Sequence, residues 1–397
     1  MLRGSLSVIA EDRPVAISVT TGRSRVLDDN ELRFLSKISA WDWIARDSVT
    51  ERFHITAETV DVFLKLGLLI GDSDNPEVET LRKREERLSA IEWDEYAFYY
   101  HMMNRTKDVV SFQSTDPGSG PSMSLTAGGD VRTDYFEMMN QLSNQLVATA
   151  YHYGPAPTHF YEVPEAIERR NIPPPEHDGP LFQLLSRRKT FRLFDPQNPM
   201  TEAELSSVLH FTFGCHGYAT LNEGVIVLRK TSPSGGALHP IEAYPIVMNV
   251  RGWQRGIYHY NVQHHRLDLL RKLDSPDAER LVEQFTAGQS YFATAHVLFI
   301  LVARFDRHFW KYRRAPRSFR VIQIDAGHLS QTMSLVCTEL GLGAFCTAAI
   351  NDINIEDELG IDPIDRGVVG VLGCGRPVSS YALTLETVPY SSRNPFI

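Results

Sequence analysis

Between Pro155 and Pro180 the chain reads PAPTHFYEVPEAIERRNIPPPEHDGP, with proline clusters at both ends. Proline fixes φ and carries no N–H, so this stretch can be neither a helix interior nor a central strand. It must run as an extended connector, and it divides the chain into two blocks that need separate accounts. The total of 397 residues is more than one ordinary domain, and 43% hydrophobic with 22% charged residues can fill a sizeable core. That balance excludes a mostly disordered or fibrous chain. A second soft region, Ser111 to Asp130 (SFQSTDPGSGPSMSLTAGGD), is rich in Ser, Gly and Pro and reads as a mobile loop. The expected division is 1–90, 91–178 (a helical region, the loop and the connector) and 179–397. No internal repeat occurs.

The formal charge of −9 gives no general attraction to nucleic acid or anionic membrane. The longest apolar runs, at 62–70 and 297–303, fall far short of the roughly 20 residues that cross a bilayer. The N-terminal MLRGSLSVIAEDRP makes a poor signal peptide. Four cysteines, Cys215, Cys337, Cys346 and Cys374, form no CxxC pair. That argues against a disulfide scaffold or zinc ribbon, and a reducing cytoplasm is the expected setting.

In the first block Asp29-Asn30 can cap a helix running to Ile38. Thr56 can cap another over Ala57 to Leu66, which Gly67 stops before the apolar Leu68-Leu69-Ile70. Helix, short helix, helix, Gly, strand is the order of a winged-helix unit. Apart from Lys65, nothing basic lines Ala57 to Leu66, so a packing role or a peptide or partner surface suits it better than DNA. In the last block Thr201 and Glu204 make a capping box for a helix to Phe213. Strands are expected at Glu242–Val250, Gly256–Tyr260, His296–Phe305, Ala344–Ile350 and Gly367–Leu372, with a long helix from Ser318 to Leu340. This mixture predicts an α+β layer fold.

Several segments carry possible chemistry. Arg187, Arg188 and Arg192 cluster in SRRKTFRLFD, after a short helix from Pro180 to Ser186; guanidinium forks match phosphate oxygens, though a solvated helix end explains the cluster equally. Arg376, behind two glycines in VLGCGRP, allows the same two readings. Pro233-Ser234-Gly235-Gly236 forms a tight loop whose amides could meet the edge of a flat heterocycle, but it lacks the lysine of a nucleotide P-loop. Asp325 and His328 share a helix face. His264-His265 has no ligand-spaced partner, so a hairpin turn suffices and no metal is expected. Cys215 reads as buried.

The segments RRKTFR, AELSSVLHFTFG, PSGGALHPIEAY, GIYHYN and DAGHLSQTMSLVCTELGLGA occur in an order that resembles the nitroreductase-like flavoproteins, and within them the SagB-type azoline dehydrogenases of thiazole/oxazole-modified peptides. FYYHMMNRTKDV also looks like the His-containing helix that precedes the flavin domain there. The match extends from about Trp93 through Pro377 and leaves the first 90 residues outside. It implies a nitroreductase-like sandwich, here behind a winged-helix-like N-terminal domain, that dimerises around FMN. Arg187, Arg188 and Arg192 match the FMN-binding arginines, with Lys189 standing where the family usually has Ser. Pro233, Ser234, Gly235, Gly236 and Leu238 match the loop against the isoalloxazine. Arg376 matches a basic residue near the phosphate, and Gly341 with Gly343 the LGLG segment, which a helix C-cap explains as well. The helix of Asp325 and His328 lies in the family's dimer core, which implies a structural role for the two.

Within HFWKYRRAPRSFR, Lys311-Tyr312 looks like the subfamily's catalytic Lys-Tyr pair; without the resemblance it reads as a solvated basic loop. A phenol is a poor base unless a nearby cation lowers its pKa, so Tyr312 is assigned as base with Lys311 tuning it; the reverse assignment stays open. The implied activity is FMN-dependent oxidation of azolines to azoles in a ribosomally made peptide, with a cyclodehydratase as a further partner. The rivals are an NAD(P)H-dependent nitro- or quinone reductase and a flavin-bearing structural subunit of a modifying complex.

Overall fold

The computed structural model describes residues 2–3, 6–10, 14–38, 43–109, 163–173, 178–221 and 224–378, with scattered residues between 144 and 155. The loop expected over 111–130 lies outside them.

The N-terminal unit opens with β1 (Leu2–Arg3), β2 (Leu6–Ala10), β3 (Pro14–Ser18) and β4 (Ser24–Val26). The three-stranded sheet β2-β3-β4 was not foreseen. Helices α1 (Asp29–Lys37), α2 (Arg46–Phe53) and α3 (Ala57–Leu66) follow, then β5 (Leu69–Ile70), which pairs with β1. The helix order is as read, but the cap of α1 is Asp28, one residue early, because Glu31 returns the capping-box bond to its amide. Thr56 caps α3, and Gly67 ends it in the left-handed region at φ 78°. Phe34 stacks on Phe63 in a core that this unit keeps to itself.

Two helices that the sequence pattern did not separate come next, α4 (Pro76–Ala90) and α5 (Glu95–Asn104). Leu88, Trp93, Ala97 and Phe98 are buried in the core of the second block. So 88–98 packs with residues far beyond the proline-rich connector, although sequence order places it before.

That second block contains α6 (Pro180–Arg187), α7 (Glu202–Phe213), the hairpin β6 (Gly217–Thr220) and β7 (Ile226–Arg229), and β8 (Ile241–Val247), β9 (Gly256–Asn261) and β10 (Arg266–Lys272). It continues with α8 (Ser275–Phe285), β11 (Val297–Arg304), α9 (Phe305–Tyr312), α10 (Ser318–Glu339), β12 (Gly343–Thr347), α11 (Asp352–Leu359) and β13 (Arg366–Gly375). One antiparallel sheet runs β10-β9-β8-β11-β13-β12. Its middle strand shows why the layers stack as they do. Val297, Phe299, Leu301 and Ala303 point into the core shared with α7 and α10, while Leu298, Ile300 and Val302 point into the core shared with α8 and α11. A strand buried on both faces must be apolar throughout, hence the uninterrupted VLFILVA. Strand ends differ from expectation by a few residues, and Gly341 stops α10 at φ 69°. Of WKYRR (310–314), a loop on its residues alone, Trp310 to Tyr312 end helix α9 and Arg313-Arg314 follow it. Cys215 is half-buried rather than buried.

Candidate active site

The loop Pro233–Leu238 is gripped from below by one face of α10. Asp325 is buried, accepts the Ser234 hydroxyl at 2.5 Å and accepts the Gly235 amide at 3.1 Å. One turn on, His328 Nδ1 donates to the Pro233 carbonyl at 3.2 Å, and Thr332 bonds the Ser232 hydroxyl at 2.6 Å. Positions i, i+3 and i+7 of a helix share a face, so a single stripe holds Ser232 and the first three residues of the loop. The spacing of Asp325 and His328 was visible in the sequence. What they touch was not, because Ser234 lies 91 positions away. Leu238 is buried, and its carbonyl accepts from Arg307 Nε at 2.8 Å.

Above the same loop stands the end of α9. A methyl group placed on Gly236 would lie 2.7 Å from Lys311 Nζ and 3.0 Å from Tyr312 Oη, and Gly236 itself has φ 64°. A methyl on Gly235 would strike Val321 and lie 3.5 Å from Tyr312 Oη. Neither glycine has room for a side chain, and Gly236 also needs the backbone conformation that glycine adopts without cost. The lysine head and the tyrosine hydroxyl therefore converge on one dipeptide, with Lys311 Nζ 5.7 Å from the Tyr312 ring centroid. Tyr312 is half-buried and packs on His308, ring centroids 4.8 Å apart. His308 is buried and its Nε2 faces the Ser318 carbonyl at 2.9 Å; burial lowers its pKa, so the ring is neutral with its proton on Nε2.

The arginine segment is placed by a strand-like contact. Thr190 bridges Ala344, and the Phe191 amide donates to the Ala344 carbonyl at 3.0 Å. A Cβ on Gly343 would sit 2.6 Å from the Phe191 Cβ and Cγ, so this glycine is required for the approach. Gly341, with open space around it, stops the helix in the left-handed region. Arg188 and Arg192 are half-buried and have no ion pair among the described residues, while Arg187 lies 3.8 Å from Glu339. Lys189 rests over the Phe191 ring at 5.0 Å. Arg376 has an acidic partner that the sequence did not reveal. Its Nη2 donates to both oxygens of Glu204, at 2.7 and 2.8 Å. Glu204 is the capping-box residue of α7, and that pairing was invisible at a separation of 172 positions. His264 and His265 form the β9–β10 turn, and His265 is held by Tyr260 and Ser206.

Comparison with known proteins fits this arrangement. A match to the nitroreductase family covers residues 185–376. A protein of Methanocaldococcus jannaschii named "Putative nitroreductase MJ1384" is 32% identical over 181 residues, which is 46% of this chain and 84% of that protein. The chain belongs to the nitroreductase family. Two relatives carry names from peptide maturation. The trifolitoxin-processing protein TfxB of Rhizobium leguminosarum bv. trifolii is 40% identical over 138 residues, 34% of this chain and 36% of that protein. The microcin B17-processing protein McbC of Escherichia coli is 29% identical over 148 residues, 34% of this chain and 50% of that protein. This nitroreductase-family chain thus spans half or less of the length of both processing proteins. A chain of the solved E. coli microcin synthetase McbBCD complex, with truncated pro-MccB17 bound, aligns at 18% identity and a TM-score of 0.47, covering 77% of this chain and 98% of that one. Among the described residues no helix is long and apolar enough to cross a membrane, and no His, Cys, Asp and Glu cluster could hold a metal.

Proposed function

We propose that this protein is an FMN-dependent dehydrogenase that oxidises azoline rings to azoles in a ribosomally made peptide. The observation that carries the reading is the convergence of Lys311 Nζ and Tyr312 Oη on Gly235-Gly236, at the loop assigned to the flavin ring. Similarity to two peptide-processing proteins supports the substrate class.

The chain's residues suit FMN on two counts. Half-buried Arg188 and Arg192, unneutralised among the described residues, offer bidentate donors to a phosphate dianion, with Arg187 beside them. Pro233 to Leu238 present a side-chain-free edge at Gly235-Gly236, held rigid by Asp325. Arg376, engaged by Glu204, is left out of this set. Bound FMN supplies the acceptor for the hydride that leaves one ring carbon of the azoline. The protein must then take the proton from the neighbouring carbon, which balances the loss of two hydrogens. Tyr312 is the proposed acceptor, with Lys311 Nζ beside its hydroxyl over the same dipeptide. Lys311 acting as the base, with Tyr312 orienting it, is the alternative within the same reading. The N-terminal unit, 1–90, is proposed to engage the leader segment of the peptide or a cyclodehydratase partner in the cytoplasm. A homodimer is proposed on the exposed apolar side chains of α6, Leu181, Phe182 and Leu185.

The test is anaerobic mixing of the FMN-loaded protein with an azoline-bearing peptide. Bleaching by peptide but not by NADH supports the proposal, provided that replacing Lys311 and Tyr312 abolishes it. Bleaching by NADH alone would make the protein a nitro- or quinone reductase, and bleaching by neither would leave a structural subunit.

A further inference from the structure

The helix that carries Lys311 and Tyr312 is only eight residues long and has no side-chain cap at its start. Its end is abrupt. Arg313, directly after Tyr312, has φ 38° and ψ −157°, a conformation that a non-glycine residue adopts only when its surroundings enforce it. The enforcing element comes from the other end of the sequence. Helix α4 stops at Ala90, and Glu92 then takes the left-handed position at φ 62°, with its amide bonded back to the Ser89 carbonyl. Glycine is the residue that such a helix-terminating position favours. A glutamate there needs a reason in its side chain, and the carboxylate has one. It accepts from Arg314 Nε at 2.8 Å and lies 3.5 Å from Arg313 Nη1. The next residue, Trp93, packs edge-on against both Phe305 and Phe309 of α9, at 4.5 Å each, and anchors its own Nε1 on the Ile364 carbonyl at 2.9 Å. So α9 is wedged along its length by Trp93, while its exit is pinned by Glu92.

We infer that Glu92 is a positioning residue for Lys311-Tyr312, acting through Arg313 and Arg314 to hold the pair over Gly235-Gly236. The role rests on the proposed function of that pair. It also makes α4, which leads out of the N-terminal unit, a direct support of the active site. The ion pair is solvent-exposed, and such pairs add little to global stability. Its value lies in geometry, since small misplacement of a catalytic group lowers turnover steeply.

Glu92→Gly separates the two roles, because it removes the carboxylate while relieving the backbone. In the full-length FMN-loaded protein, the variant should melt within about 2 °C of wild type or above it. The limiting rate of flavin bleaching by azoline peptide should fall roughly ten- to a hundredfold with KM unchanged. Amide hydrogen exchange across 305–317 should accelerate while the sheet stays protected. The swap Glu92→Arg with Arg314→Glu should restore rate and protection that Glu92→Arg alone loses. An unchanged limiting rate overturns the inference. So does a loss of rate accompanied by general destabilisation, or one without faster exchange in 305–317. Should wild type itself fail to bleach with peptide, the parent reading falls, and the exchange of 305–317 in Glu92→Gly decides the latch alone.

Discussion

His101 should make the protein lose stability on mild acidification. The imidazole lies on α5 with 3% of its surface exposed, stacked on Trp93 and edge-on to Phe305, and its Nε2 faces the Pro363 carbonyl at 3.0 Å. Burial, with Arg105 nearby, pushes its pKa down to about 3 from the ordinary 6.5. For a base with a lowered folded-state pKa, the stability is fully present above 6.5 and is lost as pH falls towards 3. Between pH 7 and pH 5 the unfolded chain gains about three-quarters of a proton that the folded one refuses, a loss of about 2 kcal/mol at 1.36 kcal/mol per unit. Asp352 opposes it. Burial raises its pKa to about 6 from 3.8, so its contribution is full below 3.8 and is lost as pH rises through 6. Over the same interval it returns about 1 kcal/mol on acidification. These two terms oppose each other, and single variants separate them. His101→Gln keeps a donor for Pro363 and, from pH 7 to pH 5, should lose about 2 kcal/mol less stability than wild type, the sign predicted by linkage. Asp352→Asn should lose about 1 kcal/mol more than wild type over the same interval. Urea unfolding at the two pH values measures both. A His101→Gln protein whose pH dependence matches wild type would refute the neutral, buried imidazole.

Three other outcomes follow from the site. Gly343→Ala drives a methyl into Phe191 and should cost roughly 1–3 kcal/mol by thermal unfolding while weakening FMN binding; unaltered FMN affinity would break the link between β12 and the arginines. Arg188→Ala with Arg192→Ala should weaken FMN by fluorescence titration but leave riboflavin, which lacks the phosphate, unaffected; equal losses for both would place the arginines elsewhere. Asp325→Ala strands the Ser234 hydroxyl and the Gly235 amide, and should lower stability by about 1–3 kcal/mol and loosen flavin binding, seen by calorimetry; binding at wild-type strength would show that the loop needs no such hold.

Local rules were legible and long-range ones were not. Thr201 with Glu204, Thr56 and Gly67 announced helix ends because caps are made within a few residues. The apolar run of β11 announced a strand, and its cover on both faces became visible only in the packing. The pair Lys311-Tyr312 was legible only as a motif, since α9 is too short for its Phe305 and Phe309 stripe to stand out from WKYRR. The ion pair of Arg376 was not legible because Glu204, its partner, is placed by tertiary packing. The part of Glu92 was hidden for the same reason, since nothing in IEWDE tells that the carboxylate meets two arginines across the molecule.

The contact of Thr190 and Phe191 with Ala344 also has a history in time. A ribosome delivers the arginines long before it delivers the strand that fixes them, and closing so large a loop is slow. The N-terminal unit, with its own core, can fold while the rest is still being made. Flavin capture should then be among the last events of biogenesis. Chains truncated ahead of β12 would carry Arg187, Arg188 and Arg192 yet retain no FMN, which cofactor retention on stalled nascent chains would reveal.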